Sequence, residues 1–137
     1  MKKLINALSI LVFMTTVTYA GEPDKAVMEK GKKIYNAYCF TCHQPTGLGL
    51  PGAFPPLAKS DYLVKNSKDV VIKSVVFGLQ GEVTVNGVKY NSVMTPIPPN
   101  YTPADIAAVI TYVYNSWGNP GGTVTEAEVV AVKKAGK

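Results

Sequence analysis

Apolar residues recur near helical spacing in the stretch 23–39. Asp24 lies in the first turn of the predicted helix, and the apolar positions are Ala26, Val27, Ile34, Tyr35 and Tyr38. Gly31 falls inside this pattern, although glycine costs about 1 kcal/mol in a helix interior. We therefore expect a helix over residues 23–39 that another bulky element approaches closely at Gly31.

A second apolar stripe predicts the clearest helix of the chain. Thr102 is its expected N-cap, Pro103 its first residue, and Asp105 lies in its first turn. Gly118 and Pro120 are expected to end it. The stripe consists of Ile106, Val109, Ile110, Val113, Tyr114 and Trp117.

Shorter patterns predict three more helices and one hairpin. Residues 60–66 and 68–77 are the first two helices, and the third lies in the tail and starts near residue 125 or 126. In residues 82–90, the pair Asn86-Gly87 suits the turn of a β-hairpin. Residues 44–56 are rich in glycine and proline and predict a loop. The fold class is therefore all-α, with one small hairpin near residues 82–90.

The first twenty residues have the pattern of a cleaved secretory signal peptide. Lys2 and Lys3 precede the mostly apolar run 4–17, and Ala20 offers a small residue at the expected cleavage site. We expect one mature domain over residues 21–137, in the periplasm or an equivalent exported compartment, without stable membrane insertion. An uncleaved N-terminal anchor is the alternative.

The charge of the mature chain is mildly basic. The whole chain carries a formal charge of +5, and removal of two leader lysines leaves 12 lysines against 9 acidic residues, a balance of +3. This charge favours collision with an acidic surface. Arginine is absent from the sequence, and nucleic-acid readers usually rely on its planar guanidinium. A nucleic-acid partner is therefore not expected.

The strongest chemical signal is the segment Cys39-Phe-Thr-Cys42-His43, the C-x-x-C-H pattern of covalent haem attachment. In a helix, residues i, i+3 and i+4 share one face. Both thiols can then reach the two vinyl groups of one porphyrin while the imidazole lies beneath its iron. His43 is the single histidine in the chain. The motif predicts one haem c per chain, attached through Cys39 and Cys42 and ligated by His43.

Three other interpretations of this motif remain open. A dithiol oxidoreductase would pair Cys39 with Cys42, but it needs a strand just before the motif and a helix after it. A structural zinc site needs four ligands, and two cysteines with one histidine supply three. A chance match is the third alternative.

Met94 is the candidate for the second axial ligand of the iron. It lies 51 residues after His43, in a stretch with Pro96, Pro98 and Pro99 that can form a stiff loop. A thioether ligand raises the reduction potential relative to two histidines. The alternatives are that Met94 fills a gap in the core or that a lysine ligates. Without Met94 the iron would be five-coordinate, as in a haem sensor or enzyme.

With these features placed, the sequence resembles class I monohaem c-type cytochromes over nearly all of its mature length. Pro55 and Leu57 match the family's P-x-L segment. The resemblance implies that the Pro55 carbonyl accepts a hydrogen bond from His43 and that Leu57 packs on the haem. Gly31 and Tyr112 resemble the family's crossing pair, in which an aromatic ring packs over a glycine.

A narrower resemblance covers residues 81–94 and 112–119, which are similar to the cytochrome domains fused to some copper nitrite reductases. It implies nitrogen-oxide respiration as the setting. No copper domain accompanies these residues, so nitrite reduction is not assigned to the chain.

The family resemblance implies a soluble electron carrier rather than an enzyme, with several helices wrapped around one haem. Its partners would be redox donors and acceptors, a nitrite reductase or another respiratory complex among them, which meet the haem edge transiently. Lys59, Lys65 and Lys89 are candidates for a docking rim. The alternative is a haem subunit of a larger oxidoreductase complex.

Overall fold

A computed structural model describes residues 22–136, so the expected signal peptide, residues 1–20, lies outside the described residues. The described part is mostly helical and contains one antiparallel two-stranded hairpin, as the sequence predicts. In chain order its elements are α1 (Lys25–Ile34), a π-helical turn (Tyr35–Cys39), α2 (Phe40–His43), α3 (Asp61–Lys65), α4 (Lys68–Phe77), β1 (Val83–Val85), β2 (Val88–Tyr90), α5 (Pro103–Tyr114) and α6 (Glu126–Ala135).

The first predicted helix is present, but its beginning and its course differ from the prediction. Asp24 is its N-cap and not part of its first turn, because the Asp24 carboxylate accepts a hydrogen bond from the Ala26 backbone N–H at 2.6 Å. Ala26 and Val27 are exposed, so the buried stripe starts later than expected. After Ile34 the helix widens into the π-helical turn. Such turns are rare and are frequent at functional sites.

The α1 and α5 helices cross in close contact at Gly31. A Cβ atom built on Gly31 would lie 2.6 Å from Tyr112 Cβ and would also collide with the Ala108 carbonyl oxygen. The absence of a side chain is therefore what lets the two helices approach. The expected crossing of Gly31 and Tyr112 is confirmed.

The start of α5 follows the prediction closely. Thr102 and Asp105 form a reciprocal capping box, and Pro103 is the first helical residue. The Lys30 ammonium lies 2.6 Å from the Asp105 carboxylate and links α1 to α5. Lys30, followed by the hydrogen bonds from Thr102, lowers the pKa of Asp105 to about 2.

The end of α5 was predicted too late, because the helix stops at Tyr114 and Trp117 lies beyond it. The Asn115 side-chain amide donates to the carbonyls of Thr111, at 2.7 Å, and Gly122, at 2.6 Å. These bonds fold the following segment back against the helix. Trp117 then has a left-handed φ of 53°, which is incompatible with continued helix.

The other predicted elements are present within one to three residues of their expected bounds. In the hairpin, Asn86 and Gly87 have positive φ values of 51° and 79°, as the turn requires. Asn86 also exchanges two hydrogen bonds with Asp61, at 2.7 and 2.9 Å, which fix the hairpin to α3. Thr125 caps α6 through a capping box with Glu128.

One hydrophobic core is formed mainly by α5, with α1, α4 and α6 packed around it. Eight of its fifteen buried members lie on α5 or α6; these are Ile106, Ala107, Val109, Ile110, Val113, Tyr114, Val129 and Val132. No helix within residues 22–136 has the length and apolar character that crossing a membrane requires.

Candidate functional site

The two cysteines lie at the junction of the π-helical turn with α2. Both are half-buried free thiols. Burial, followed by the nearby Cys42, raises the pKa of the Cys39 thiol to about 11, against the weaker lowering by a backbone hydrogen bond. Reactive cysteines of dithiol oxidoreductases need a lowered pKa. The environment of Cys39 therefore speaks against the dithiol alternative and suits a thiol that is held for attachment.

His43 is buried, with 8% of its surface exposed, at the end of α2. Its Nδ1 atom lies 3.0 Å from the Pro55 carbonyl oxygen. Because a carbonyl can only accept, Nδ1 carries the proton and Nε2 is left with its lone pair. Burial lowers the pKa of His43, and the bond to Pro55 opposes this in part. The imidazole is thus neutral and oriented, the form in which histidine binds metals.

The loop after His43 is held by its backbone and by aromatic side chains. Gln44 has a left-handed φ of 62°, and its carbonyl accepts a hydrogen bond of 2.7 Å from the Tyr35 hydroxyl. Gly47 lies against the Trp117 ring, which would be 2.7 Å from a Cβ at that position. The Leu57 backbone N–H donates to the Gly47 carbonyl at 2.7 Å. These contacts fix the loop that carries Pro55.

Met94 is half-buried in a loop that backbone hydrogen bonds restrain on one side. It forms an isolated antiparallel bridge with Leu79, in which both N–H···O distances are 2.9 Å. Three residues later, the Ile97 N–H donates to the Val75 carbonyl at 2.9 Å. The position of Met94 is therefore set by α4 and the residues that follow it.

Two side chains connect the Met94 loop to the rest of the site. The Tyr38 hydroxyl lies 2.8 Å from Thr95 Oγ1 and donates to the Pro96 carbonyl at 2.9 Å. On the other side of Met94, the Ser92 hydroxyl donates to the Ala53 carbonyl at 2.5 Å. Sequence reasoning missed both contacts. The available signal was a tyrosine directly before the motif, which was assigned to the helix stripe alone.

The predicted site residues therefore fall into two groups. His43 and Pro55 are in direct contact, and Leu57 follows on the same loop. Met94 is joined to the motif through its neighbours and Tyr38.

The residues present fit a covalently attached haem. Two free thiols one helical turn apart, a neutral imidazole with an available Nε2 atom and a thioether on a restrained loop are the donors that haem c uses. A zinc site is not supported, since no cluster of three or more His, Cys, Asp or Glu side chains is arranged for a metal within residues 22–136.

The lysines predicted to form a docking rim are mostly occupied. Lys65 pairs with Asp61 at 2.6 Å, and Lys89 pairs with Glu82 at 2.9 Å. Lys59 is exposed, and its aliphatic chain lies beside Gly118. A ring of unpaired positive charge is therefore not formed by these three residues.

Comparison with known proteins identifies the family. The family model for cytochrome c matches residues 28–117. Cytochrome c-552 of Thermus thermophilus is 42% identical over 92 residues, which cover 65% of this chain and 69% of that protein. The cytochrome c-552 of a second Thermus thermophilus strain is equally similar, and the match covers 61% of its length.

More distant relatives are subunits of larger assemblies. The cytochrome c subunit of a quinone alcohol dehydrogenase from Gluconacetobacter polyoxogenes is 29% identical over 108 residues, which cover 77% of this chain and 23% of that subunit. The fructose dehydrogenase cytochrome subunit of Gluconobacter japonicus is 27% identical over 113 residues, or 22% of its length. The chain thus spans less than a quarter of these subunits.

The matched region contains the C-x-x-C-H motif, the Pro55 loop, Met94 and the α1–α5 crossing. The chain therefore belongs to the cytochrome c family, as a class I monohaem c-type cytochrome that carries covalent haem c and transfers electrons.

Proposed function

We propose that this chain is a soluble one-electron carrier whose iron is ligated by His43 and Met94. The observation that carries the proposal is the hydrogen bond between His43 Nδ1 and the Pro55 carbonyl. This bond leaves Nε2 of a neutral, buried imidazole as the donor atom. The restrained loop of Met94 supports a soft ligand on the opposite side.

Each residue has a separate role in this proposal. Cys39 and Cys42 form the thioether links, while Pro55 orients the ligand His43 and Leu57 excludes water. When bound, the haem supplies reversible one-electron chemistry between ferrous and ferric iron. Two protein ligands that stay in place in both states leave no open position for substrate, which distinguishes a carrier from a haem enzyme.

The setting proposed for this carrier is an exported compartment. The leader pattern of residues 1–20 supports cleavage and transport to the periplasm or its equivalent. Nitrogen-oxide respiration is supported by the resemblance of residues 81–94 and 112–119 to nitrite reductase cytochrome domains. A second candidate, a haem subunit of a dehydrogenase complex, is favoured by the relatives that are such subunits.

We propose that the partner meets the carrier through an uncharged face. Residues 34–58 and 90–104 contain no lysine, arginine, aspartate or glutamate, and the bond from Ser92 to Ala53 joins them. Leu48 and Val93 on these segments are 63% and 59% exposed. An uncharged partner surface matches this face better than the acidic surface that the net charge suggests.

This docking proposal predicts electron-transfer rates that depend weakly on salt. Reduction of the ferric protein by an anionic and by a cationic metal complex should each change by less than about twofold between roughly 0.1 and 0.5 M salt. Stopped-flow absorbance measures these rates. Leu48→Lys should introduce opposite salt dependences for the two complexes, because it places a charge on the proposed face.

Val64→Lys is the matched control, because Val64 is 68% exposed on α3 and lies outside both uncharged segments. It should leave both salt dependences near those of the wild type. Strong and opposite salt dependences in the wild type would contradict an uncharged docking face.

The proposed function itself is tested on protein produced in a host that matures c-type cytochromes. We expect a red product whose mass includes one haem that denaturation does not release, and a reversible one-electron titration. The ferric spectrum should contain the weak far-red band of methionine bound to iron. Cys42→Ala should leave a haem held by one thioether at most. A colourless product of unmodified mass would refute the proposal.

A further inference from the structure

The Tyr38 hydroxyl lies between two segments that sequence reasoning treated as separate. Tyr38 directly precedes Cys39, and its side chain is half-buried against the core. Its hydroxyl contacts the Thr95 side chain at 2.8 Å and the Pro96 carbonyl at 2.9 Å. The two contacted residues are the next two after Met94. One phenol therefore connects the cysteine motif to the methionine loop across 57 and 58 residues of sequence.

The Met94 loop depends on such an outside partner because of its composition. Pro96, Pro98 and Pro99 have no backbone N–H, so the segment cannot form a regular ladder of hydrogen bonds. The Leu79 bridge holds Met94 itself, and the Val75 bond holds Ile97. Between these two points, the bonds from Tyr38 hold residues 95 and 96.

We propose that Tyr38 is a positioning residue that sets how readily Met94 leaves the iron. This inference rests on the proposed His43/Met94 ligation and extends it. With its hydroxyl in place, the loop is held in one conformation and Met94 stays over the site. Without the hydroxyl, Thr95 and Pro96 lose their common partner, and conformations with Met94 displaced become more populated.

The test is Tyr38→Phe, which removes the hydroxyl and keeps the ring. The expected result is about a fivefold tighter apparent binding of imidazole to the ferric protein, since one hydrogen bond contributes about 1 kcal/mol and imidazole binds only where Met94 has left. Loss of the far-red methionine–iron band reports the titration. The band itself should persist in the variant without imidazole. Thr95→Val, which removes one of the two partners, should shift the affinity in the same direction by a smaller factor.

Tyr62→Phe is the matched control. It also removes a phenol hydrogen bond, that to Ser74 Oγ at 3.2 Å, but on α3 and α4 and away from Met94. Its imidazole affinity should stay within about twofold of the wild type, because a general loss of stability does not act on Met94. An unchanged affinity in both Tyr38→Phe and Thr95→Val, or equal shifts in Tyr38→Phe and Tyr62→Phe, would overturn the inference. A wild type without the methionine band would overturn the ligation proposal as well, so the two failures are distinguishable.

Discussion

Met94→Ala is expected to bind carbon monoxide in the ferrous state and imidazole in the ferric state about a hundredfold more tightly than the wild type. The factor follows if the displaced form of the Met94 loop is populated at about 1%, because an external ligand binds only that form. Alanine cannot ligate, so every molecule of the variant is competent to bind. The far-red methionine–iron band should vanish, and the reduction potential should fall because a soft ligand is lost. Absorbance titrations and a redox titration measure these changes.

The structure provides a matched control for this substitution. Met28 is half-buried on α1, near Glu22 and Asn115 and away from the Met94 loop. Met28→Ala removes the same side chain and should leave the band and both affinities unchanged. If the wild type already binds carbon monoxide readily and Met94→Ala changes nothing, the iron has no sixth protein ligand. The five-coordinate sensor or enzyme would then be the better interpretation.

Elements with local signals were predictable from the sequence. The capping boxes of Thr102 and Thr125 and the Asn86-Gly87 turn each depend on residues within a few positions of one another. The motif from Cys39 to His43 has the same property, because its spacing is the spacing of one helical turn. Local geometry alone decides these features, and the structure contains them where they were expected.

The features that were missed depend on contacts between distant segments. Nothing near Tyr114 predicts that the helix ends there, since the ending depends on Asn115 bonding to Gly122 and on Trp117 packing against Gly47. The π-helical turn also has no local composition signal. Tyr38 fits a helical stripe equally well whether its hydroxyl is free or bonded, so its contacts with Thr95 required the tertiary structure.

Gly31 lies between these two cases, because its cost in a helix pointed to a close contact whose partner only the structure identifies. Gly31→Ala is expected to destabilise the protein by about 2–3 kcal/mol and to lower its Tm by roughly 10 °C. The added Cβ would lie 2.6 Å from Tyr112 Cβ and would collide with the Ala108 carbonyl oxygen. Alanine is the better helix former by about 1 kcal/mol, so a net loss requires the collision to outweigh that gain. Thermal unfolding followed by circular dichroism measures the change.

Lys32→Ala is the control for this effect, because it places alanine at an exposed position one residue later on α1. It should leave the Tm nearly unchanged. Gly31→Ala combined with Tyr112→Gly should recover little of the loss, since the Ala108 carbonyl belongs to the backbone and cannot move without α5. The helix crossing would be looser than the structure indicates if Gly31→Ala alone left the Tm unchanged or raised it. Full rescue by Tyr112→Gly would instead assign the collision to the tyrosine side chain and not to the approach of the two backbones.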